Sequence, residues 1–164
     1  MNPSLSDREH AKSIMCGFDT AMLVSKSEKN QLRARPMAIA KHLQGGDVWF
    51  VTNRDSSKVD EILDSSEIAV TCQSNNQFVS LSGRAKMVED RVLIDKLWSE
   101  AWKVWFPEGK EDPRIVLICF TPEEVEFWDN AGANGLRYLF KAGVAYLQGE
   151  TPAIDHGIHA KLKT

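Results

Sequence analysis

The stretch Trp49-Phe50-Val51-Thr52-Asn53 is followed directly by Arg54-Asp55-Ser56-Ser57-Lys58, and the fold assignment starts from these two segments. The first segment is apolar and predicts a strand over Val48–Thr52, while the second predicts a polar turn that opens a helix over Ser56–Asp64. A helix start with two serines and a lysine directs backbone N–H groups, hydroxyls and an ammonium group to one point, which suits a phosphate. The alternative is an ordinary helix cap with Lys58 in solvent.

A second cationic segment, Arg33-Ala34-Arg35-Pro36-Met37, lies on the preceding predicted strand, Leu32–Ala40. Residues 33, 35 and 37 share one face of a strand because side chains alternate. Two neighbouring guanidinium groups repel each other unless an anion or carboxylates lie between them, and arginine suits bidentate phosphate contacts. Pro36 marks an edge or a bulge, since proline donates no ladder hydrogen bond. The alternative is a solvated outer face of an edge strand.

Length and composition indicate one soluble globular domain. The chain has 164 residues, 43% of them hydrophobic and 26% charged, which allows a sizeable core. The net charge of −3 and the pI near 5.8 argue against a general nucleic-acid binder. We see neither a signal-peptide pattern nor a membrane-spanning apolar run, so we expect a cytoplasmic protein that binds no membrane. We assign residues 1–150 to this domain and expect a loosely ordered tail over 151–164.

Alternating strands with short connections predict an α+β protein that is mainly β. The expected strands are Thr20–Ser25, Leu32–Ala40, Val48–Thr52, Ile68–Gln73, Phe78–Val88, Arg114–Phe120 and Glu123–Trp128, and the expected helices are one capped by Ser6, Ser56–Asp64 and Arg91–Trp105. Several connections have hairpin length, which excludes a repeated βαβ pattern. A six- to seven-stranded antiparallel barrel is therefore favoured over a doubly wound sheet.

Other chemistry-bearing residues give weaker signals. Trp128, at the end of the last expected strand, offers a flat face that could cover an aromatic ring system, although the residue alone favours a core or dimer-interface tryptophan. His156 and His159 have a spacing that a metal could use, but no third ligand is nearby, so we predict no metal site. The three cysteines have no CxxC spacing and indicate neither disulfides nor a zinc site.

These segments, together with Leu81-Ser82-Gly83-Arg84-Ala85 and Glu126-Phe127-Trp128, resemble the pyridoxamine 5′-phosphate oxidase-like flavoproteins. The resemblance is closest to their general stress protein branch, and the motifs occur in the family's order across roughly residues 8–128. It implies an FMN-binding split barrel that works as a homodimer, with flavin sites in the clefts between subunits. Each motif is weak alone, but together they are fairly specific.

The resemblance also implies roles for particular residues. Arg35 and Lys58 are expected to face the flavin phosphate with Ser57 beside them, Thr52 and its neighbours to contact the ring and ribityl chain, and Gln77 and Trp128 to close the pocket from either subunit. The full expected set of cofactor-binding residues is Arg33, Arg35, Pro36, Met37, Val51, Thr52, Asn53, Ser56, Ser57, Lys58, Gln77 and Trp128.

One departure from the family pattern limits the expected activity. In the true oxidases the Glu-Phe-Trp segment is followed by an Arg-Leu-His run and a further arginine, whereas here the corresponding offsets hold Asn134, Gly135, Leu136 and Tyr138. We therefore expect no pyridoxamine 5′-phosphate oxidase activity, and instead a flavin-dependent redox protein with an unidentified small-molecule electron donor or acceptor. The alternatives are a non-enzymatic binder or sensor of flavin or pyridoxal phosphate, and a reductase that uses NAD(P)H or a deazaflavin.

Overall fold

A computed structural model describes residues 5–42, 46–130 and 159–163. The helices are α1 (Leu5–Met15), α2 (Ser57–Asp64), α3 (Arg91–Leu97) and a short 3₁₀ helix (Glu100–Val104). The strands are β1 (Thr20–Lys26), β2 (Leu32–His42), β3 (Val48–Asn53), β4 (Glu67–Gln73), β5 (Gln77–Val88), β6 (Ile115–Asp129) and β7 (His159–Lys163). Among the described residues, no helix is long and apolar enough to cross a membrane.

Six of these strands form a closed antiparallel barrel. Hydrogen-bonded neighbours follow the order β3-β2-β1-β4-β5-β6, and pairing of β3 with β6 closes the ring. Side chains of β1, β4 and much of β5 alternate between buried and more exposed positions, so one face of these strands fills the barrel. The predicted α+β split barrel of six to seven strands is therefore confirmed.

The barrel wall is split between β2 and β3. The first part of β2 pairs only with β1, and its pairing with β3 begins at Ile39, which lies opposite Phe50. Beyond Phe50, β3 pairs with β6 alone. The two strands therefore separate, and among the described residues no strand pairs with residues 35–38 of β2 on that side. Pro36 lies in this stretch, which pairs with β1 on one side only, so a residue without an N–H group is tolerated there. This agrees with the prediction that Pro36 marks an edge.

Two apolar clusters stabilise the barrel from both sides of β3. Phe50 lies with Leu23 and Phe127 inside the barrel, whereas Trp49 packs with Trp102 and Phe106 under α3 and the 3₁₀ helix. Because both faces of β3 are covered, its first five residues are all buried. This double burial explains why the deciding segment is a continuous apolar run and not an alternating one.

Strand β6 is longer than the sequence suggests. We expected a turn at Thr121-Pro122, but β6 runs without interruption through these residues, so this prediction is wrong. The bend is taken up by a register shift between Ser82 and Gly83 on β5. A Cβ atom on Gly83 would lie 2.2 Å from the Thr121 carbonyl oxygen, so only glycine fits this close approach. Gly83 is therefore required by the close approach of β6 to the continuous strand β5.

Three other expectations need correction. Helix α1 begins at Leu5, so Ser6 lies inside its first turn and does not precede it. The expected helix Arg91–Trp105 is broken, because Trp98 adopts an extended conformation and the Ser99 hydroxyl then accepts a hydrogen bond from the Ala101 N–H to start the 3₁₀ helix. Part of the expected loose tail is ordered, since β7 pairs with Glu124–Trp128 of β6.

Candidate functional site

A cavity of about 310 Å³ lies at the split between β2 and β3. Both strands contribute to its walls, because each has an unpaired edge at this point. The lining residues are Arg35, Pro36, Met37 and Ala38 from β2, Val51, Thr52 and Asn53 from β3, Lys58 from α2, and Trp105 and Phe106 after the 3₁₀ helix. The split thus brings together many of the predicted site residues.

One end of the cavity is cationic. Lys58 Nζ donates a hydrogen bond of 3.0 Å to Thr52 Oγ1, which in turn lies 3.2 Å from Ser56 Oγ. Burial lowers the pKa of Lys58 below its ordinary value, and the nearby charge of Arg35 lowers it further, while Glu61 opposes both effects. An anion bound beside Lys58 would reverse this shift, because an opposite charge favours the protonated amine.

The start of α2 lies at the same end of the cavity. Ser56 occupies the position before the helix with an extended backbone, but its side chain makes no capping hydrogen bond. Helix capping was the alternative interpretation of this turn: Ser56 takes the N-cap position, but its hydroxyl faces Thr52. The first N–H groups of a helix lack carbonyl partners one turn back in the helix, and here the Val59 N–H donates to the Ser56 carbonyl oxygen at 2.8 Å. The N-terminal end of a helix and its dipole favour an anion.

The two arginines share a buried carboxylate. Arg35 Nη2 donates to Glu61 Oε2 at 2.8 Å, and Arg33 Nη1 donates to Glu61 Oε1 at 3.3 Å. Their cross-strand partners are Ser25 for Arg33 and Leu23 for Arg35, both buried, so the arginines project from the inner face of the barrel and not from a solvated outer face. The sequence predicted that either a bound anion or a carboxylate relieves the repulsion between these guanidinium groups, and in the structure the Glu61 carboxylate does so.

Glu61 is charged despite its burial. Desolvation alone would raise its pKa, but hydrogen bonds from Ser25 and Arg35 and the charges of Arg35 and Arg33 outweigh it, so the pKa is lowered. Arg33, Arg35 and Lys58 carry three positive charges against this single negative one. The cluster therefore has an excess of about two positive charges, close to the charge of a phosphate monoester near neutral pH.

The sequence did not reveal Glu61 as a site residue. Helical spacing led us to expect Val59, Ile62 and Leu63 on the inner face of α2, and the first two are indeed buried. Leu63, however, is 69% exposed, whereas Glu61 is only 6% exposed. A signal was present, because Glu61 follows Lys58 by three residues and so shares its helix face.

Two aromatic residues also line the cavity. Phe106 is fully buried, whereas Trp105 is 57% exposed. The helical spacing of Trp98, Trp102 and Trp105 favours packing for all three, and Trp102 is indeed buried, with its ring edge-on to that of Trp98 at 5.7 Å. Trp105 differs from Trp102, because it is exposed and follows the end of the 3₁₀ helix.

The remaining predicted residues are not among those that line the cavity. Arg33 and Ser56 contact lining residues or their partners, and Ser57 is exposed at the first position of α2. Gln77 Nε2 donates to Asp129 Oδ1 at 3.2 Å, and Trp128 stacks on His159 with ring centroids 5.0 Å apart. Within one chain, the structure thus does not bring Gln77 or Trp128 to the cationic end.

Comparison with known proteins agrees with this architecture. The family model described as "pyridoxamine 5′-phosphate oxidase like" matches residues 6–153. The chain belongs to the pyridoxamine 5′-phosphate oxidase-like family. Two curated relatives of this family member are protein bli-3 of Neurospora crassa, 31% identical over 118 residues, and general stress protein 26 of Bacillus subtilis, 29% identical over 90 residues. The matches cover 65% and 52% of this chain but only 56% and 63% of those relatives.

Solved structures of the family extend the match to nearly the whole chain. A protein described as general stress protein 26 from Jannaschia sp. CCS1 is 26% identical with a TM-score of 0.74, and the match covers 98% of this chain and all of that one. A pyridoxamine 5′-phosphate oxidase-related, FMN-binding protein from Nostoc punctiforme PCC 73102 is 13% identical, with a TM-score of 0.65 over 100% of this chain and 97% of that one. The latter likeness shows the fold alone. Asn134, Gly135, Leu136 and Tyr138 lie outside the described residues.

Proposed function

We propose that this chain is an FMN-binding flavoprotein of the general stress protein type, with the cofactor in the cavity at the split. The observation that supports this most directly is the lining of that cavity, which combines Arg35, Lys58 and Thr52 with the aromatic side chains of Trp105 and Phe106. Its volume of about 310 Å³ lies within the range of small-molecule sites. The match to the pyridoxamine 5′-phosphate oxidase-like family is consistent with this proposal, and one protein of the same fold is described as FMN-binding.

The residues at the cationic end fit a terminal phosphate. An excess of about two positive charges, the N-terminal end of α2 and the partly buried ammonium of Lys58 are features that bind phosphate in proteins. The flavin would supply the redox chemistry when bound, and the chain would orient it and exclude water. The physiological partner in this proposal is a small-molecule electron donor or acceptor. Because the oxidase arginines and histidine are replaced, we propose that pyridoxamine 5′-phosphate is not its substrate.

We further propose a cytoplasmic homodimer with flavin sites between the subunits. The outer face of the sheet presents small or apolar side chains in register, with Pro36 opposite Met22 and Met22 opposite Thr71. Met22 is 37% exposed. Pro36 also lines the cavity, so a subunit docked on this face would adjoin it. Gln77 and Trp128 are proposed to complete the site from the partner subunit. Light scattering should give about twice the 18.4 kDa chain mass.

The cofactor proposal is tested by comparing FMN with riboflavin, which lacks only the phosphate. We expect a purified sample to absorb near 450 nm, or to take up added FMN with a rise in melting temperature. Riboflavin should bind at least tenfold more weakly, because it forfeits the charge-assisted contacts to Arg35 and Lys58. A protein that takes up neither compound would contradict the proposal.

The same preparation separates the alternative functions. Loss of the 450 nm band on addition of NAD(P)H would indicate a reductase, whereas a coloured protein without turnover would indicate a non-enzymatic binder or sensor. Because the cationic end recognises a phosphate monoester and not a ring system, pyridoxal phosphate is the appropriate competitor. Displacement of FMN by pyridoxal phosphate at comparable concentration would favour the non-enzymatic binder or sensor.

A further inference from the structure

Glu61 is a negative group at the place where the proposed function requires a phosphate. Its side chain is only 6% exposed, and it accepts hydrogen bonds from Ser25, Arg33 and Arg35 at 2.5, 3.3 and 2.8 Å. By charge alone, a carboxylate in this position weakens phosphate binding. If Glu61 supports phosphate binding, another effect must offset the repulsion between its carboxylate and the phosphate.

The contacts around Glu61 restrain one arginine in particular. Arg35 Nη1 donates to Ser25 Oγ at 2.7 Å, and Ser25 Oγ donates to Glu61 Oε2, so Arg35, Ser25 and Glu61 form a closed triangle of hydrogen bonds. The Arg35 side chain is 19% exposed, against 54% for Arg33. Arg35 also lines the cavity, whereas Arg33 does not. The triangle thus holds the arginine that faces the ligand space.

The guanidinium of Arg35 keeps binding capacity after these contacts. A guanidinium carries five N–H donors in one plane, and the contacts of Arg35 within the described residues use one donor on each terminal nitrogen. Fixing the plane at two points also fixes the direction of the other donors. A preorganised side chain loses less rotamer freedom when the ligand binds, and the affinity gains accordingly.

We infer that Glu61 is a positioning residue for phosphate recognition, which it supports by holding the Arg35 guanidinium at the cavity wall through the Ser25–Glu61–Arg35 triangle. This inference rests on the proposed function. A purely structural role is a weaker explanation, because a buried ion pair contributes little stability compared with apolar residues of similar size. Glu61 also favours the charged form of the neighbouring Lys58.

The substitution Glu61→Gln separates positioning from simple electrostatics by the sign of its effect. It keeps the side-chain shape and removes one negative charge, which makes the net charge of the cluster one unit more positive. Electrostatics alone therefore predicts tighter FMN binding. Positioning predicts binding about tenfold weaker, since Arg35 loses its charged partner. Asp60→Asn, an exposed change of equal charge on the same helix, should alter FMN affinity less than about twofold. Tighter or unchanged binding by Glu61→Gln would overturn the inference.

A double-mutant cycle shows whether Glu61 acts through Arg35. In an Arg35→Ala background, Glu61→Gln should no longer weaken FMN binding, because the side chain that it positions is absent. A tenfold loss that persists in this background would contradict the inference. Ser25→Ala provides a second variant that retains the Glu61 charge, and we expect it to weaken FMN binding about threefold by removing one side of the triangle.

A measurement without ligand distinguishes this inference from the proposed function. The ¹⁵N relaxation of the Arg35 Nε–Hε group should show restricted motion in the unmodified protein and increased motion in Glu61→Gln and Ser25→Ala, with the Asp60→Asn protein unchanged. Equal Arg35 motion in all four proteins would refute positioning even if FMN binds. Failure of the unmodified protein to bind FMN would refute the proposed function, and the relaxation data would still decide whether Glu61 holds Arg35.

Discussion

Two polar clusters of this barrel are built in contrasting ways. The cationic cluster of Arg33, Arg35, Lys58 and Glu61 has more positive than negative charge and borders a cavity. At the second cluster, Asp129 is 4% exposed and accepts hydrogen bonds from Gln77 and from His10, whose Nε2 lies 2.8 Å away. The first cluster has charge left over for a ligand, whereas the carboxylate of the second is matched by protein donors. Excess charge beside a cavity therefore distinguishes the proposed phosphate site from a cluster whose carboxylate is matched by donors of the same chain.

The largest expected effect comes from removing the excess charge. The double variant Arg35→Ala/Lys58→Ala should lose about 3 kcal/mol or more of FMN binding energy, about a hundredfold in affinity, because two charge-assisted contacts are lost. Isothermal titration calorimetry measures the change. Arg84→Ala/Lys161→Ala removes two exposed, salt-bridged cations outside the cavity lining and should leave the affinity within about twofold. Unchanged FMN affinity in the first variant would show that the phosphate binds elsewhere.

A substitution in the second cluster should lower the free energy of unfolding and leave phosphate recognition unchanged. Asp129→Ala leaves the Gln77 amide and the His10 ring without this acceptor, and we expect unfolding free energy to fall by about 2 kcal/mol. Urea denaturation followed by tryptophan fluorescence measures this loss. The ratio of FMN to riboflavin affinity should stay the same, because the phosphate end is intact. A tenfold fall in that ratio would remove the distinction between the two clusters.

The pH dependence of binding reports on Lys58. Burial and then Arg35 lower its pKa, so in the free protein the ammonium loses its proton at a lower pH than an ordinary lysine. Since the phosphate interacts with the charged form, FMN affinity should fall, by about tenfold, as the pH rises through this pKa. In Lys58→Arg the guanidinium stays protonated, and the alkaline fall should disappear. A decline identical in both proteins would assign the titration to another group.

The sequence predicted the parts of the site that depend on local pattern. Alternation placed Arg33, Arg35 and Met37 on one face of β2, and the strand-to-helix turn located Lys58 beside them, because both features follow from backbone geometry over a few residues. Gly83 was also a visible signal, since glycine inside a strand marks a bulge, a bend or a close backbone approach, and here it meets the Thr121 carbonyl oxygen.

The parts that could not be predicted depend on how elements pack. Glu61 is buried in place of Leu63 because two arginines from a different element compensate its charge, and no pattern within α2 contains that information. Trp105 joins the cavity because the chain breaks at Trp98 and Ser99, a break that helical spacing across Arg91–Trp105 conceals. Whether Gln77 and Trp128 complete the site depends on a second subunit and remains a prediction.

The smallest effect concerns stability in acid and tests the buried carboxylate of the cationic cluster. Desolvation raises the pKa of Glu61 in the folded protein. Hydrogen bonds from Ser25 and Arg35 and the charges of Arg35 and Arg33 outweigh this effect, so the pKa is lowered. A carboxylate with a depressed folded-state pKa stabilises the protein above its unfolded-state pKa, near 4.3, and this contribution is lost as the pH falls through the folded-state value. Urea unfolding should therefore show the difference in stability between the unmodified protein and Glu61→Gln shrinking below about pH 4. Asp60→Asn, which removes an exposed carboxylate from the same helix, should show no comparable change with pH. A difference that stays constant down to about pH 3 would mean that the Glu61 charge does not stabilise the fold, leaving Arg35 as the group whose position it serves.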